Sequence, residues 1–401
     1  MPISLDCQHR RLTHPRLIVA LCVAIVVTAP LVAASGPPTS DSPTLVRSVR
    51  AALSQTARRA PSVPTIALPR VTLVASDDVA RTFVRPRVPL QSKAPLFAKA
   101  TSSSTFIVTY VGFSPQAQAA FQAAVDVWSQ LLVSSVPIRV EAVWEDLGSP
   151  YILGSAGPAD WKYNFSGSIS STWYPIALAE AMVGSTLNGT AFDISASLNS
   201  ARSDWYFGTD GNTPAGKYDL MSVALHELGH GLGFIGLMQV DDGTGASECD
   251  GTSGHGCWGF GTGWPAVFDR FTEDDLGYAL LNTGVFPQNS YALGNALESG
   301  DVFFDGAAAR AANAANSPEL YAPGSWESGS SYSHLDEGVF GPGDTNSLMT
   351  PRLASAEAVH DPGEITLGIF QDMGWEVITS MFSDGFELGN TDAWSSTVPV
   401  P

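Results

Sequence analysis

The hydrophobic and polar positions of the chain become regular after residue 104. The run TFIVTYV, from Thr105 to Val111, is rich in β-branched and aromatic residues and predicts a strand. Ser114 and Pro115 then supply an N-cap and a first-turn proline, and apolar residues follow at helical spacing. This pattern predicts an amphipathic helix that packs on a sheet. Its apolar positions are Ala117, Phe121, Ala124, Val125, Trp128 and Leu132.

Two alternating runs predict strands after this helix. The segment IRVEAVW places Ile138, Val140, Ala142 and Trp144 on one face. A strand, a helix and a strand in this order predict a parallel pair joined by a right-handed crossover. In AFDISASLN, residues 191–199, the second face is so polar that we expect an edge strand near solvent. The polar positions of this run are Asp193, Ser195, Ser197 and Asn199.

Two later segments carry the signals of helices. In KYDLMSVALHELGHGLGF, Asp219 is a candidate N-cap, and residues 220–232 contain no proline. The segment GEITLGIFQDMGW, residues 363–375, is also helix-like. Together with the strands, these helices predict an α+β fold built on a mixed, twisted sheet.

The first 34 residues follow a different pattern. Three arginines precede an unbroken apolar run of eleven residues, Leu17 to Val27, and small residues follow up to Ala34. Basic, apolar and small residues in this order are typical of a secretory signal peptide, here residues 1–34. An uncleaved membrane anchor is the alternative, but eleven residues are short of the roughly 20 that span a bilayer. We therefore expect a secreted, extracellular protein without stable membrane insertion.

Residues 35–100 are basic and proline-rich. They contain ten basic residues, three acidic residues and nine prolines, with no long periodic apolar pattern. Such a composition predicts an extended or loosely ordered segment. It is either a solvated linker or a pro-segment that is held against the acidic remainder and removed on maturation. We favour the pro-segment, and with it a zymogen, because Arg58-Arg59 suits a processing protease.

The remainder of the chain is strongly acidic. The formal net charge of the chain is -19, and the part beyond residue 100 contains seven basic and 35 acidic residues. Like-charge repulsion argues against nucleic acid and anionic lipid as partners, whereas calcium suits such a surface. Residues 379–401 form an acidic tail without an apolar run that would anchor it in a membrane.

Two cysteines remain after removal of the signal peptide. Cys249 and Cys257 enclose seven residues in CDGTSGHGC. In an exported chain this pair predicts a disulfide that closes a small loop. Two free thiols, or half of a metal site that includes His255, are the alternatives; the second would need more ligands nearby.

The stretch ALHELGHGLGFIG contains the pattern H-E-x-x-H. His226 and His230 lie four residues apart, so a helix places both imidazoles on one face, where they can bind one ion. Glu227 can then reach a metal-bound water as general base. The alternative is an amphipathic helix with two surface histidines. Gly231 and Gly233 favour a helix end at this point.

The third ligand is missing from its usual place. In H-E-x-x-H-x-x-G-x-x-H the last histidine comes three residues after Gly233, and Gly236 stands there instead. Further along, the sequence contains SHLDE around His334 and SLMTP around Met349. HELGHGLGF, SHLDE and LMTP together resemble the leishmanolysin-like branch of the metzincin zinc peptidases, in which a long insertion precedes the third histidine. The resemblance covers residues 104–375.

The resemblance implies a zinc metalloendopeptidase with a polypeptide substrate and one catalytic zinc. It implies that His334 completes the site and that Met349 forms a hydrophobic base below the imidazoles. The chain then divides into an N-terminal catalytic subdomain, residues 101–236, and a C-terminal one, residues 237–378, which carries the insertion and the Met-turn. If the strand at 192–199 borders the cleft, an extended peptide can pair with its free edge.

The sequence is also compatible with other ligands, another source of latency and another function. A glutamate such as Glu273 or Glu298 would serve a different zinc class as third ligand, and His255 and His360 are expected to be polar loop residues. Because residues 35–100 lack cysteine, latency would require Asp77, Asp78 or steric coverage rather than a thiolate. The alternative function is a secreted binding or adhesion protein on an inactive metzincin-like scaffold.

Overall fold

A mixed α+β fold with six α-helices is formed by the residues that the computed structural model describes, namely 69–88, 104–244, 249–259 and 262–378. The predicted signal peptide, the Arg58-Arg59 pair and the acidic tail lie outside these residues. The strands are β1 (Val71–Val79), β2 (Phe83–Val84), β3 (Phe106–Val111), β4 (Leu132–Val133), β5 (Ile138–Glu145), β6 (Ile152–Pro158), β7 (Trp161–Lys162), β8 (Tyr174–Pro175), β9 (Ile194–Asn199), β10 (Trp205–Tyr206), β11 (Tyr218–Asp219), β12 (Met238–Val240), β13 (Gly256–Trp258), β14 (Thr272–Asp274), β15 (Val302–Phe304), β16 (Glu319–Leu320), β17 (Arg352–Ser355), β18 (Ala358–Val359) and β19 (Glu376–Val377). The helices are α1 (Pro115–Leu131), α2 (Ile176–Val183), α3 (Leu220–Leu232), α4 (Tyr291–Leu297), α5 (Ala307–Ala312) and α6 (Gly363–Met373).

The central sheet has six strands in the order β17-β1-β6-β9-β5-β3. Strands β3 and β5 are parallel, as the strand-helix-strand pattern predicts. Strand β9 is parallel to β5, and β6 runs antiparallel to β9. The N-cap prediction for α1 is confirmed, because the Ser114 side chain accepts a hydrogen bond from the Ala117 amide. Helix α1 buries Phe121 and Trp128 completely, so its apolar face contributes much of the core that supports α3.

The prediction that residues 191–199 form an edge strand is wrong. β9 is paired on both sides, with β5 and with β6. Its polar side chains are instead satisfied inside the protein. Ser197 donates to Glu145, and the Asn199 amide donates to the carbonyls of Ser149 and Ile152. Alternation of polar residues therefore reflected internal hydrogen bonds and not exposure to solvent.

Residues 71–79, which belong to the predicted pro-segment or linker, are an inner strand of this sheet. β1 pairs antiparallel with β6 and parallel with β17. Val71 and Leu73 are buried. The predicted extended conformation is therefore confirmed for these residues, whereas loose order is wrong, because both edges of β1 are hydrogen bonded.

The region between α3 and residue 333 contains short elements around the predicted disulfide. The structure joins Cys249 and Cys257 through an S–S bond, and β13, which contains Cys257, pairs with β12. After this region the chain reaches a 3₁₀ turn at Ser347–Met349 and then α6, whose bounds agree with the predicted helix. No helix in the described ranges is long and apolar enough to cross a membrane.

Candidate metal centre

Helix α3 places two histidines side by side in the interior. The Asp219 carboxylate caps the helix by accepting from the Ser222 amide at 2.8 Å. His226 and His230 are buried, and their Nε2 atoms lie 2.9 Å apart. The spacing of four residues thus produces the shared face that the sequence predicts.

Tryptophans fix the position of this helix. The Trp128 indole nitrogen donates to the Leu225 carbonyl, and that of Trp375 donates to the Leu232 carbonyl at the C-terminal end. Since a helix leaves its last carbonyls without partners inside the helix, the bond from Trp375 satisfies one of them. The helix is therefore held by α1 and by Trp375, the second residue after α6.

Gly233 turns the chain away from the helix axis. Its φ is 126°, a conformation that favours glycine. The turn brings the Phe234 carbonyl back to His230, whose Nδ1 lies 2.7 Å away. Gly236 stands where the usual third histidine would be, and a Cβ on it would lie 2.0 Å from the Tyr332 ring. A side chain at this position is therefore excluded by packing.

His334 completes the cluster from 104 residues beyond His230. Its Nε2 lies 3.2 Å from that of His230 and 3.3 Å from that of His226. The three histidines are buried and their ligand atoms converge within reach of one cation. Within the described ranges, no second group of three histidine, cysteine or acidic side chains is gathered in this way.

The ring orientations suit a cation. The Nδ1 atoms of His226, His230 and His334 each contact a backbone carbonyl, those of Leu348, Phe234 and Ser330 respectively. Because a carbonyl only accepts, each Nδ1 carries the proton and each Nε2 presents a lone pair to its neighbours. Three lone pairs at such short distances repel, and a metal ion about 2 Å from each nitrogen removes this conflict.

Burial keeps these imidazoles neutral. Loss of hydration lowers the pKa of His226 to about 4 and lowers the pKa values of His230 and His334 well below the usual range. Neutral imidazole is the form that binds metals such as zinc, copper, iron and nickel. The site therefore fits a transition-metal ion.

Met349 lies against the face of α3 that carries the histidines. A Cβ on Gly229 would lie 2.8 Å from the Met349 sulfur, so the glycine lets this side chain reach the helix between the two ligands. The preceding residue, Leu348, supplies the carbonyl for His226. The Ser347–Met349 turn therefore positions one ligand and packs against α3 at Gly229.

Glu227 is fully buried beside the cluster. Its Oε1 accepts from the Leu73 amide at 3.3 Å, and its Oε2 has no hydrogen-bond partner among the described residues. A Cβ on Gly154 would come within 2.6 Å of Oε1, so β6 admits this carboxylate only because residue 154 is glycine. Burial raises the pKa of Glu227 well above its usual value, although the Leu73 amide and the Arg70 charge oppose the shift.

Asp269 connects the chain after α3 to the segment just before His334, and the sequence pattern does not reveal it. Its carboxylate accepts from the amides of Leu237 and Ala266 and from the Tyr332 hydroxyl. It thereby ties the chain after α3 to the segment that carries the third histidine. An isolated aspartate between short elements has no periodic signal, so only the folded geometry shows this function.

The other two histidines among the described residues lie outside the cluster. His255 contacts Asp250 and packs edge-on against Tyr291. His360 lies in the loop before the last helix and is not a ligand, as the sequence predicts; it is also fully buried, and its Nε2 lies 2.8 Å from the Asp219 carboxylate. His360 thus supports the N-cap of α3 rather than a metal.

We expect Asp269 to make stability depend on pH. Burial raises its pKa from 3.8 to about 6, so its carboxyl favours the folded state below pH 3.8, and this contribution is lost as pH rises through 6. The unfolding free energy of the wild type relative to Asp269→Asn should fall by about 2–3 kcal/mol from pH 4 to pH 8. Urea unfolding of both proteins at several pH values measures this difference, and parallel curves would contradict it.

Comparisons of the chain with protein-family models, with curated proteins and with solved structures gave no match.

Proposed function

We propose that this protein is a secreted zinc metalloendopeptidase with a metzincin-like fold of the leishmanolysin type. His226, His230 and His334 are the metal ligands, and Glu227 is the catalytic residue. The observation that carries the proposal is the convergence of His334 on the two histidines of α3, with Glu227 as the next residue after the first ligand. The disulfide agrees with export, since such bonds persist in oxidising compartments.

The zinc bound there would polarise the scissile carbonyl and lower the pKa of a bound water. Glu227 accepts the proton of the attacking water and then donates it to the leaving amine. A buried carboxyl whose pKa is raised by loss of hydration suits both transfers, because it holds a transferred proton more readily than an exposed carboxyl does. The dry surroundings of the carboxylate also strengthen its interaction with a developing positive charge.

The convergence of these residues favours the enzyme over an inactive binding or adhesion protein. A structural metal site requires the three imidazoles. It does not require a buried carboxylate at the position after the first ligand, where Glu227 stands. Burying such a group costs free energy unless its oxygens are hydrogen bonded or paired with a charge. Glu227 is nevertheless buried, with one oxygen unpaired among the described residues.

Metal-dependent hydrolysis tests the proposal. The substrate is an unfolded protein. The enzyme is assayed in two forms: as the full chain, and after a specific cut at an engineered site between Arg81 and Thr82, which separates β1 from the part of the chain that follows it. We expect hydrolysis that stops when zinc is chelated and returns when zinc is added. A folded, zinc-loaded protein that hydrolyses nothing in either form would contradict the proposed function and favour the binding protein.

A further inference from the structure

β1 is hydrogen bonded along both edges in alternation. The amides of Thr72 and Val74 donate to the carbonyls of Gly329 and Pro351, on the C-terminal side. The Ala75 amide donates in the opposite direction, to the Tyr151 carbonyl just before β6. β1 thus lies between β6 on one side and Gly329, Pro351 and β17 on the other. We term the space that it fills the substrate groove.

The Leu73 amide reaches the candidate catalytic residue. It lies opposite Gly154 of β6, and it donates to the Oε1 atom of Glu227 at 3.3 Å. The nitrogen of the Thr72–Leu73 peptide bond therefore contacts the carboxylate that is proposed to donate a proton to a leaving amine. A peptide substrate would have to present its scissile nitrogen at this same place.

We infer that β1 is an internal occupant of the substrate groove, bound in the manner of a substrate, and that it keeps the full chain latent until it leaves. This inference rests on the proposed function. Two peptide backbones cannot both occupy the space between β6 and β17, so an external substrate reaches Glu227 only after β1 has moved.

The side chains of β1 show which contacts hold it. Leu73 is 2% exposed and Val71 is 4% exposed, whereas Val79 at the other end is 53% exposed. Asp77 and Asp78 are exposed and belong to no metal-binding cluster among the described residues. Latency therefore comes from coverage of the groove by residues 71–75, and not from an aspartate bound to the metal.

The groove continues beyond the start of β1. A cavity of about 250 Å³ is lined by Arg70 and Val71, by Gly236 and Gln239 after α3, and by Gly329 and Ser333 next to His334. An extended peptide longer than β1 thus has room on this side. Because Leu73 is enclosed, the expected substrates are extended polypeptides with a large aliphatic residue directly after the cleaved bond.

The covalent connection makes β1 an effective inhibitor. A tethered segment experiences an effective concentration in the millimolar range, which an external substrate at micromolar concentration does not match. The turn at Ala80–Thr82 connects β1 to β2, and Arg81 within it is exposed. A cut at this turn removes the tether on the β2 side after the protein has folded.

The first experiment compares the full chain before and after the cut between Arg81 and Thr82. Hydrolysis of a quenched fluorescent peptide is measured after dilution, with bound zinc determined in both samples. We expect the cut to raise kcat/KM at least about tenfold, since an untethered strand is replaced by substrate. A synthetic peptide of residues 70–76 should reverse the increase, and the same peptide with Leu73→Asp should not.

A matched pair of variants tests the same point without a cut. Leu73→Asp places a charge in an enclosed apolar position and should raise the basal kcat/KM about tenfold or more, because β1 then docks poorly. Val79→Asp alters an exposed position of the same strand and should leave the rate unchanged. Near-ultraviolet circular dichroism and zinc content show whether each variant is folded.

The outcomes separate latency from function. Equal zinc-dependent rates before and after the cut would overturn latency and leave the proposed function in place. A folded, zinc-loaded Leu73→Asp protein that is slower than wild type would also overturn it, because β1 would then belong to the catalytic structure. Absence of hydrolysis from every zinc-loaded form would contradict the proposed function, and the inference would fall with it.

Discussion

The His334→Ala variant is expected to lose metal affinity by more than about 100-fold, since even changes to groups that only orient ligands cost about 10–100-fold. The variant removes one of three Nε2 donors that lie within 3.3 Å of one another, and two imidazoles alone hold zinc weakly. Competition with a chromophoric chelator gives the zinc dissociation constant directly. His226→Ala should have a comparable effect.

His255→Ala is the control for this measurement. His255 is paired with Asp250, away from the cluster, so its loss should leave the zinc content and the dissociation constant unchanged. The opposite pattern, with zinc retained by His334→Ala and lost by His255→Ala, would show that the third ligand has been assigned to the wrong histidine.

The Glu227→Gln variant is expected to retain zinc and to lose hydrolysis by about 10²–10⁴-fold, the usual contribution of general acid-base catalysis. Glutamine has nearly the same shape, and its amide oxygen can still accept from the Leu73 amide, so the fold should persist. It cannot accept the proton of the attacking water. The comparison is made on protein cut after Arg81, where β1 does not mask the rate.

Zinc content and unfolding midpoint are the controls for Glu227→Gln. A variant that is folded and zinc-loaded but inactive assigns the proton transfer to Glu227. Equal activity in the variant and the wild type would place the chemistry on another residue and refute the catalytic assignment.

Local sequence signals were sufficient for the centre of the site. The start of α3 at Asp219 and its end at Gly233 depend on a cap and on a left-handed backbone conformation, and both effects act within a few residues. The shared face of His226 and His230 follows from the helical repeat alone. These parts could be predicted because their causes are short-range.

Long-range features could not be read from periodicity. The position of His334 followed only from a resemblance, and the structure brings it beside His230 across 104 residues. Asp269 and His360 are buried through partners far away in sequence, and β9 looked exposed because its polar partners, such as Glu145, are equally distant. β1 could not be predicted because the basic, proline-rich composition of residues 35–100 obscures its short apolar run, and because it depends on strands on either side.

The bonds that Trp375 and His360 make to helix α3 have a consequence for the order of synthesis. Trp375 follows Leu232, the residue that it anchors, by 143 positions, and His360 follows Asp219 by 141. At about 5–20 residues per second, a ribosome needs roughly 7–30 s to make the intervening chain. During this interval the nascent protein has the HELGH segment but lacks the residues that fix it. A chain that stops before residue 360 therefore lacks both contacts, and neither end of helix α3 has the partner that fixes it in the complete protein.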